Sequence, residues 1–359
     1  MIDPHTTDHV WHADDASAHA ARALLWPFAL AYAGVVALRG ALYDAGLLEQ
    51  VRLALPSVSV GNLTVGGTGK TPAAAWLAAR LVERGARPAI VMRGYGSDEP
   101  LVHREVNPEI PVVIAGDRVV GVKRARVLGA DVAVLDDAFQ HRRARRDADV
   151  VLISADRWRL PVRPLPAGPW REPLSALSRA TMAVVTRRAV ASDVVAAVVG
   201  ELGRIRPSLP VAVASLSLGE LHRVGAPDVR PLASLEGERV YLVAGIGDPL
   251  TLVSQLEARG ATVTLHAFED HHRFTDDDVS AVLRGAVGAS VVLCTLKDAV
   301  KLAPLWPRAA LSLWYVSQQF ALESGQGTVD SLLALLLAAR HDQPGVRPPA
   351  LGHPSLPHT

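Results

Sequence analysis

A single cysteine, Cys294, stands in 359 residues. Two thiols are needed for a bridge, so an intramolecular disulfide and a paired-cysteine metal motif are both excluded. Nothing asks for an oxidising compartment, and the chain suits a reducing, cytoplasmic setting. Net charge is also scarce: 37 Lys and Arg against 36 Asp and Glu leave +1. The overall positive field that nucleic-acid binding draws on is missing, and no nucleic-acid partner is expected. Nor is there an unbroken apolar run of the roughly 20 residues that a bilayer span requires. The nearest candidate, AARALLWPFALAYAGVVAL (20–38), is interrupted by Pro27 and edged by Arg22 and Arg39. The residues before it are acidic and His-rich, where a secretory signal would be basic. Two readings of this stretch stay open. It is either an apolar helix packed on the protein's own core, or a helix lying in a membrane interface. In the second case Trp26 and Tyr32 act as amphipathic anchors, and Arg22 and Arg39 reach headgroups.

What is present is a globular composition, 49% hydrophobic and 20% charged, in a chain long enough for two domains. Apolar runs of strand length, at 55–63, 88–94, 130–137, 148–155 and 180–188, alternate with helical patterns at 71–85 and 119–129. That rhythm predicts a parallel sheet with helices on both faces. A Pro-rich loop, LPVRPLPAGPWREPLSAL (160–177), lies between the last two strands, and an amphipathic helix is predicted over 191–205. The alternating segment 211–224 reads as extended. The strand–turn–helix rhythm then restarts at 238–249, with further strands at 262–268, 290–296 and 311–317 and a helix over about 328–340. The expected organisation is a tail and apolar helix (1–45), a nucleotide-binding core (46–210), an extended linker (211–237), a second, smaller α/β/α unit (238–340) and a disordered Pro-rich tail (341–359). No internal repeat is visible.

The stretch VSVGNLTVGGTGKTP (58–72) places a glycine-rich loop between a strand and a helix. Glycines let backbone N–H groups turn inward around phosphate oxygens, and a following helix N-terminus adds partial positive charge. This is the context of a P-loop formed by Thr64, Val65, Gly66, Gly67, Thr68, Gly69, Lys70 and Thr71. Lys70 would reach the β- and γ-phosphates of a nucleotide, and Thr71 would set its hydroxyl on Mg²⁺. Thr64 stands where the motif has its first glycine; Gly66 and Gly67 supply the freedom instead. The bland alternative is an ordinary glycine-rich turn. Asp136 and Asp137 end the apolar run AVLDD, where a metal-side acid belongs; a helix N-cap also favours Asp there.

Taken in order, VGNLTVGGTGKTP (60–72), RGYG (93–96), DEP (98–100), DDAFQHR (136–142), LPAGPWREPL (165–174), GIGDP (245–249), FEDHHRF (268–274) and TLKDAVKL (295–302) resemble the tetraacyldisaccharide 4′-kinase family of lipid A synthesis. The resemblance covers roughly residues 20–340. It implies ATP-dependent phosphorylation of the 4′-hydroxyl of a lipid A disaccharide 1-phosphate. It also implies a monotopic or peripheral enzyme on the cytoplasmic face of the inner membrane, with ATP and Mg²⁺ as cofactors. Two α/β/α units joined by an extended linker are the implied fold. By the same resemblance Asp98 is the general base, His271 its paired histidine, and Asp136 and Asp137 the acids near the metal. Glu99, Arg171 and Glu172 are further active-site residues.

The residue types suit that chemistry. A sugar hydroxyl is a poor nucleophile, and a carboxylate can orient it and accept its proton as the phosphoryl moves. Three departures from the family pattern are plain. Only Ser97 separates RGYG from Asp98, so a longer excursion is missing. Ala138 replaces a glycine, so a positive φ needed there would force the turn to shift. Leu296 replaces a glutamate. The basic cluster HRRARRD (141–147) is either a solvated face or a patch for anionic lipid or phosphate. A different class, a membrane-associated P-loop ATPase switch, would carry a lysine at the position of Val65.

Overall fold

The computed structural model describes residues 9–94 and 98–341; the tail expected after 341 lies outside them. The first half supplies helix α1 (Ala16–Asp44) and strands β1 (Val51–Arg52) and β2 (Ser57–Asn62). Then come α2 (Lys70–Glu83), β3 (Pro88–Met92), α3 (Glu99–Val106), β4 (Val112–Ile114), α4 (Arg118–Val127) and β5 (Val132–Asp136). It continues through β6 (Ala144–Arg145), β7 (Ala148–Ser154), β8 (Met182–Arg187) and α5 (Ser192–Ile205). The second half runs β9 (Val211–Arg223), β10 (Val229–Arg230), β11 (Arg239–Ala244), α6 (Pro249–Glu257), β12 (Thr262–Ala267) and α7 (Asp276–Gly285). It ends with β13 (Val291–Thr295), α8 (Leu296–Leu302), β14 (Leu313–Ser324) and α9 (Gln326–His341).

One twelve-stranded sheet runs through both halves, in the order β12-β11-β13-β14-β9-β8-β7-β2-β5-β3-β4, with β10 paired to β9. Strands β2, β3 and β5 are buried along their whole length because helices cover both faces; β3 and β5 read as apolar runs, whereas β2 (SVSVGN) buries Ser57 and Ser59 on Asp147 and Asp149. Every pairing from β4 across to β9 is parallel. Along the main path polarity reverses at the antiparallel β14–β9 ladder, and β14, β13, β11 and β12 are again mutually parallel; the short β10 is also antiparallel to β9. Residues 211–223 are thus a full strand at the centre of the sheet. β14 is longer than its apolar run suggests, because its polar second half continues the ladder along β9.

Helix α9 returns to the first half. Its Val329, Leu332, Leu333 and Leu336 join the core formed by Val58, Val60, Leu77 and Leu81, and Arg84 pairs with Asp330 at 2.5 Å. By packing, the last helix belongs with the glycine loop's sheet, although sequence order groups it with the second unit.

Helix α1 starts at the N-cap Asp15, whose carboxylate accepts the Ala18 N–H, and carries Pro27 inside. It is long and apolar enough to cross a membrane by length and composition. Leu24 is 76% and Phe28 65% exposed, so the reading of a helix buried in its own core fails. Of the expected anchors Trp26 is exposed, while the other three have partners within the chain. Arg22 is buried and donates to the carbonyls of Val10 and Ala13. Arg39 donates to Gln140 O, and the Tyr32 hydroxyl donates to Arg171 O at 3.1 Å. These groups hold the helix to the protein and leave its apolar face outward. Arg142 of the basic cluster does similar work, reaching Asp44 at 2.6 Å and Gly40 O at 2.9 Å; Arg143 pairs with Asp117 and Arg146 with Asp149, away from the helix.

Candidate active site

The glycine loop leaves β2 and enters α2, as its sequence requires. Gly66 has φ 107° and Gly69 φ 89°, values costly for any side chain bearing a Cβ. A Cβ on Gly69 would also lie 2.5 Å from Leu216 of β9. Gly69→Ala is therefore expected to lower stability by at least about 1 kcal/mol and to weaken nucleotide binding; thermal melting and equilibrium titration check both. The loop is held from several sides. Asn62 Nδ2 donates to Thr68 Oγ1 at 2.9 Å, Thr186 Oγ1 donates to Thr68 O at 3.1 Å, and Val65 N donates to Pro169 O at 2.8 Å. Thr64 bridges to Trp170, so the Pro-rich loop is a brace for the glycine loop.

Lys70 and Thr71 open α2. Burial pushes the Lys70 ammonium below its ordinary pKa; Asp137 opposes that, Arg171 adds to it, and Asp136 and Glu99 oppose it. Asp136 is fully buried at the carboxyl end of β5, with one oxygen 2.9 Å from His103 Nε2 and the other, Oδ1, without a partner. Asp137 takes φ 47° and pairs with Arg171 at 3.0 Å. Burial works to raise its carboxyl, but Lys70 and Arg171 outweigh that and hold it below the ordinary range. The left-handed residue of this turn is thus Asp137, and Ala138 sits fully buried beside it. Alanine at 138 is compatible with the turn. Arg171 also bonds to the Asn62 side chain, tying the brace to the acids.

Asp98 stands before α3, following β3, while His271 comes from the turn after β12 in the other half of the sheet. They meet: His271 Nδ1 lies 3.1 Å from both carboxylate oxygens of Asp98. Burial acts to raise the Asp98 carboxyl, but the His271 hydrogen bond and the charges of His271 and Lys297 outweigh it and bring it down to about 2. The bond to Asp98 in turn raises His271 against its partial burial. His271 has φ 61°, a conformation uncommon outside glycine. The shortened connection before Asp98 therefore does not keep it from its partner. Glu99 feels charges from both groups: burial and the nearby Asp136 raise its carboxyl, and Lys297 lowers it. Lys297, next to the substituted Leu296, is what α8 brings to the site.

Glu172 stands apart from the other predicted residues. Its carboxylate pairs with Arg179 at 2.6 Å, and Arg179 lies over the Phe139 ring. His272 turns to Asp278 at 3.1 Å and stacks on Phe268, which leaves His271 as the histidine on Asp98. His103, Asn62, Arg118 and Lys297 are new members of the cluster. His103 was foreseeable only by recognising α3, whose Asp98–Glu99–Pro100 start is a readable helix signal. The joined groups can hold phosphates at Lys70, present hard oxygen donors at Asp136 and Asp137, and offer a carboxylate to an incoming hydroxyl at Asp98.

The chain matches the family model described as tetraacyldisaccharide-1-P 4′-kinase over residues 21–99 and 97–337. It is 40% identical to the tetraacyldisaccharide 4′-kinase of Anaeromyxobacter sp. (strain K), across 89% of this chain and 92% of that protein. It is 36% identical to that of Xanthomonas campestris pv. campestris (strain 8004), across 86% and 91%. Among solved structures, LpxK from Aquifex aeolicus in complex with ATP superposes with a TM-score of 0.68 at 27% identity, across 89% of this chain and 99% of that one.

Proposed function

This chain belongs to the tetraacyldisaccharide 4′-kinase family, and from that premise we infer that it transfers the γ-phosphoryl group of ATP to the 4′-hydroxyl of a tetraacyldisaccharide 1-phosphate in lipid A synthesis. The observation that carries the reading at the level of chemistry is the Asp98–His271 contact, which sets a carboxylate for a hydroxyl close to a glycine loop that begins a helix at Lys70.

The nucleotide's phosphates lie along residues 64–71, with the Lys70 ammonium on the β- and γ-oxygens. Mg²⁺ fits the donors present: the unpartnered Asp136 Oδ1, Asp137 and the Thr71 hydroxyl are hard oxygen ligands, few in number, as this ion prefers beside phosphates. When bound it would neutralise charge on the transferring phosphoryl group. Asp98, ionised at neutral pH, accepts a hydrogen bond from the 4′-hydroxyl, aims its oxygen at the phosphorus and takes its proton as the new bond forms. A carboxylate with so low a pKa is a weak base, so orientation carries most of its effect; the loose transition state of phosphoryl transfer asks for little early proton removal. His271 fixes the Asp98 rotamer. Residues 46–210 act as the nucleotide unit, and 238 onward supplies His271 and Lys297.

ADP release is expected to require the lipid acceptor. ATP turnover indifferent to the acceptor, followed by a coupled ADP assay, would instead fit an ATPase switch.

The outward apolar face of α1 supports attachment to a membrane, where the acyl chains stay in lipid while the sugar enters the site; the need for ATP and the family membership favour the cytoplasmic face of the inner membrane. Joint Leu24→Asp and Phe28→Asp replacement is expected to cut co-sedimentation with phospholipid vesicles severalfold while leaving nucleotide binding intact. Unchanged sedimentation would remove α1 from membrane attachment.

A further inference from the structure

Two guanidinium groups stand against the glycine loop. Arg157 ends the short turn Ala155–Arg157 after β7, and Arg188 directly follows β8. A Cβ built on Gly66 would lie 2.8 Å from Arg157 Nη1, and one on Gly67 would lie 3.5 Å from Arg188 Nη2. Glycine at 66 therefore does more than free the backbone: it lets Arg157 approach the loop, while Arg188 lies at van der Waals distance of position 67.

Their neutralisation is incomplete. Burial, reinforced by the like charge of Arg157, pushes the Arg188 guanidinium pKa down. Asp156 and Asp248 are the acids that act on its charge, but the oxygens of Asp156 accept the backbone N–H groups of Arg188, Ala189 and Val190. Among the described residues no carboxylate lies within ion-pair distance of the Arg188 side chain. Arg157 has one acid, Asp248 of the second half, at 3.3 Å. That carboxylate also caps α6 through Thr251 N and Oγ1. Half-buried cations held together are costly without an anion, and planar guanidiniums suit phosphate oxygens.

We propose that Arg157 and Arg188 contact the phosphate oxygens of the bound nucleotide, from the side of the loop opposite the Asp136–Asp137 acids, and that Asp248 holds Arg157 ready for that contact. The inference rests on the nucleotide reading of residues 64–71. It adds a second cationic seat beside Lys70 and links that seat, through Asp248, to the half of the molecule that carries His271.

The acceptor's own 1-phosphate offers the same chemistry, so the test separates the two sources. A fluorescent ATP analogue with Mg²⁺, and no acceptor, is titrated into the full-length wild type and its Arg157→Ala, Arg188→Ala, Arg188→Lys and Lys70→Ala variants. Melting temperatures confirm folding. The proposal predicts affinity about tenfold weaker or worse in each arginine-to-alanine variant. Partial recovery in Arg188→Lys and an acceptor KM within about twofold of wild type are predicted with it. It is overturned if the folded alanine variants bind the analogue within about twofold of wild type. A raised acceptor KM would then assign the pair to the 1-phosphate. Should Arg188→Ala fail to fold, a Lys variant that binds no worse than wild type while Arg157→Ala is also unaffected overturns it equally. Wild type that binds no analogue would sink the nucleotide reading itself. Wild type that binds and Lys70→Ala that does not, with both arginine variants normal, would sink this inference alone.

Discussion

Asp98→Ala is expected to lower kcat for phosphate transfer by about 10²–10⁴-fold while nucleotide affinity stays near that of wild type. The carboxylate makes its contribution to the attacking hydroxyl, not to ATP, so the loss falls on the chemical step. His271→Ala should cost less, because Asp98 remains beside the site but loses the group that fixes its rotamer. The two losses should not add, since both act through one carboxylate.

A readout independent of turnover comes from pH. His271 has a folded pKa raised above its ordinary 6.5. Its share of the pair's stability is fully present below 6.5 and is lost as pH rises through the raised value. Asp98 is lowered from 3.8 to about 2; its share is present above 3.8 and is lost as pH falls through about 2. The melting-temperature difference between wild type and Asp98→Asn should therefore be greatest between these two ordinary values and shrink toward alkaline pH. A difference that grows with pH would mean that the pair does not carry charge as described. Nucleotide affinity that collapses together with kcat in Asp98→Ala would place Asp98 on the nucleotide instead of the acceptor.

Lys70→Ala has the second large effect. A half-buried ammonium at the start of α2, with Asp137, Arg171, Asp136 and Glu99 around it, is placed to meet charge that moves from the γ-phosphoryl group to the leaving oxygens. Removing one such preorganised donor costs about 10²–10³-fold in kcat, and here it should also weaken binding of Mg·ATP. Without the lysine, Asp136 and Asp137 lose a nearby cation and confront phosphate directly. Lys70→Arg is not expected to rescue, because a planar fork does not replace a compact point charge in a closed loop. Steady-state kinetics with ATP and acceptor varied separately distinguish the two losses. Unchanged kcat and KM for ATP in Lys70→Ala would remove the phosphate role from the loop.

The contrast between what the sequence disclosed and what it hid follows from the range of the interactions. The glycine loop was legible because its requirement is local: positive φ at Gly66 and Gly69 and a helix starting at Lys70 are written in consecutive residues. Asp136 and Asp137 were legible for the same reason, as acids at the end of a buried strand. The buried strands β3 and β5 announced themselves as apolar runs. The polar half of β14 did not, since only its ladder with β9 makes it a strand.

Contacts between distant segments were the ones missed. His103 reaches Asp136 from a short helix that carried no apolar stripe. Glu172 sits beside Arg171 in sequence, yet the turn sends one to Arg179 and the other to Asp137 and Asn62. Arg22 and Arg39 looked like headgroup anchors, but carbonyl oxygens of the folded chain claim both. Helix α9 packs on a core built some 250 residues earlier, a choice that no local pattern records. The pairing of Asp98 with His271 came from the family resemblance rather than from spacing, because 173 residues separate them.

The most direct test of the account is the fate of the γ-phosphate. Purified protein in detergent is incubated with γ-labelled ATP, Mg²⁺ and a tetraacyldisaccharide 1-phosphate, and the lipid product is isolated and its phosphorylated position determined. The account predicts label on the lipid at the 4′-oxygen, absent when the acceptor's 4′-hydroxyl is blocked. Label released only as inorganic phosphate, or a lipid labelled at any other position, would contradict it.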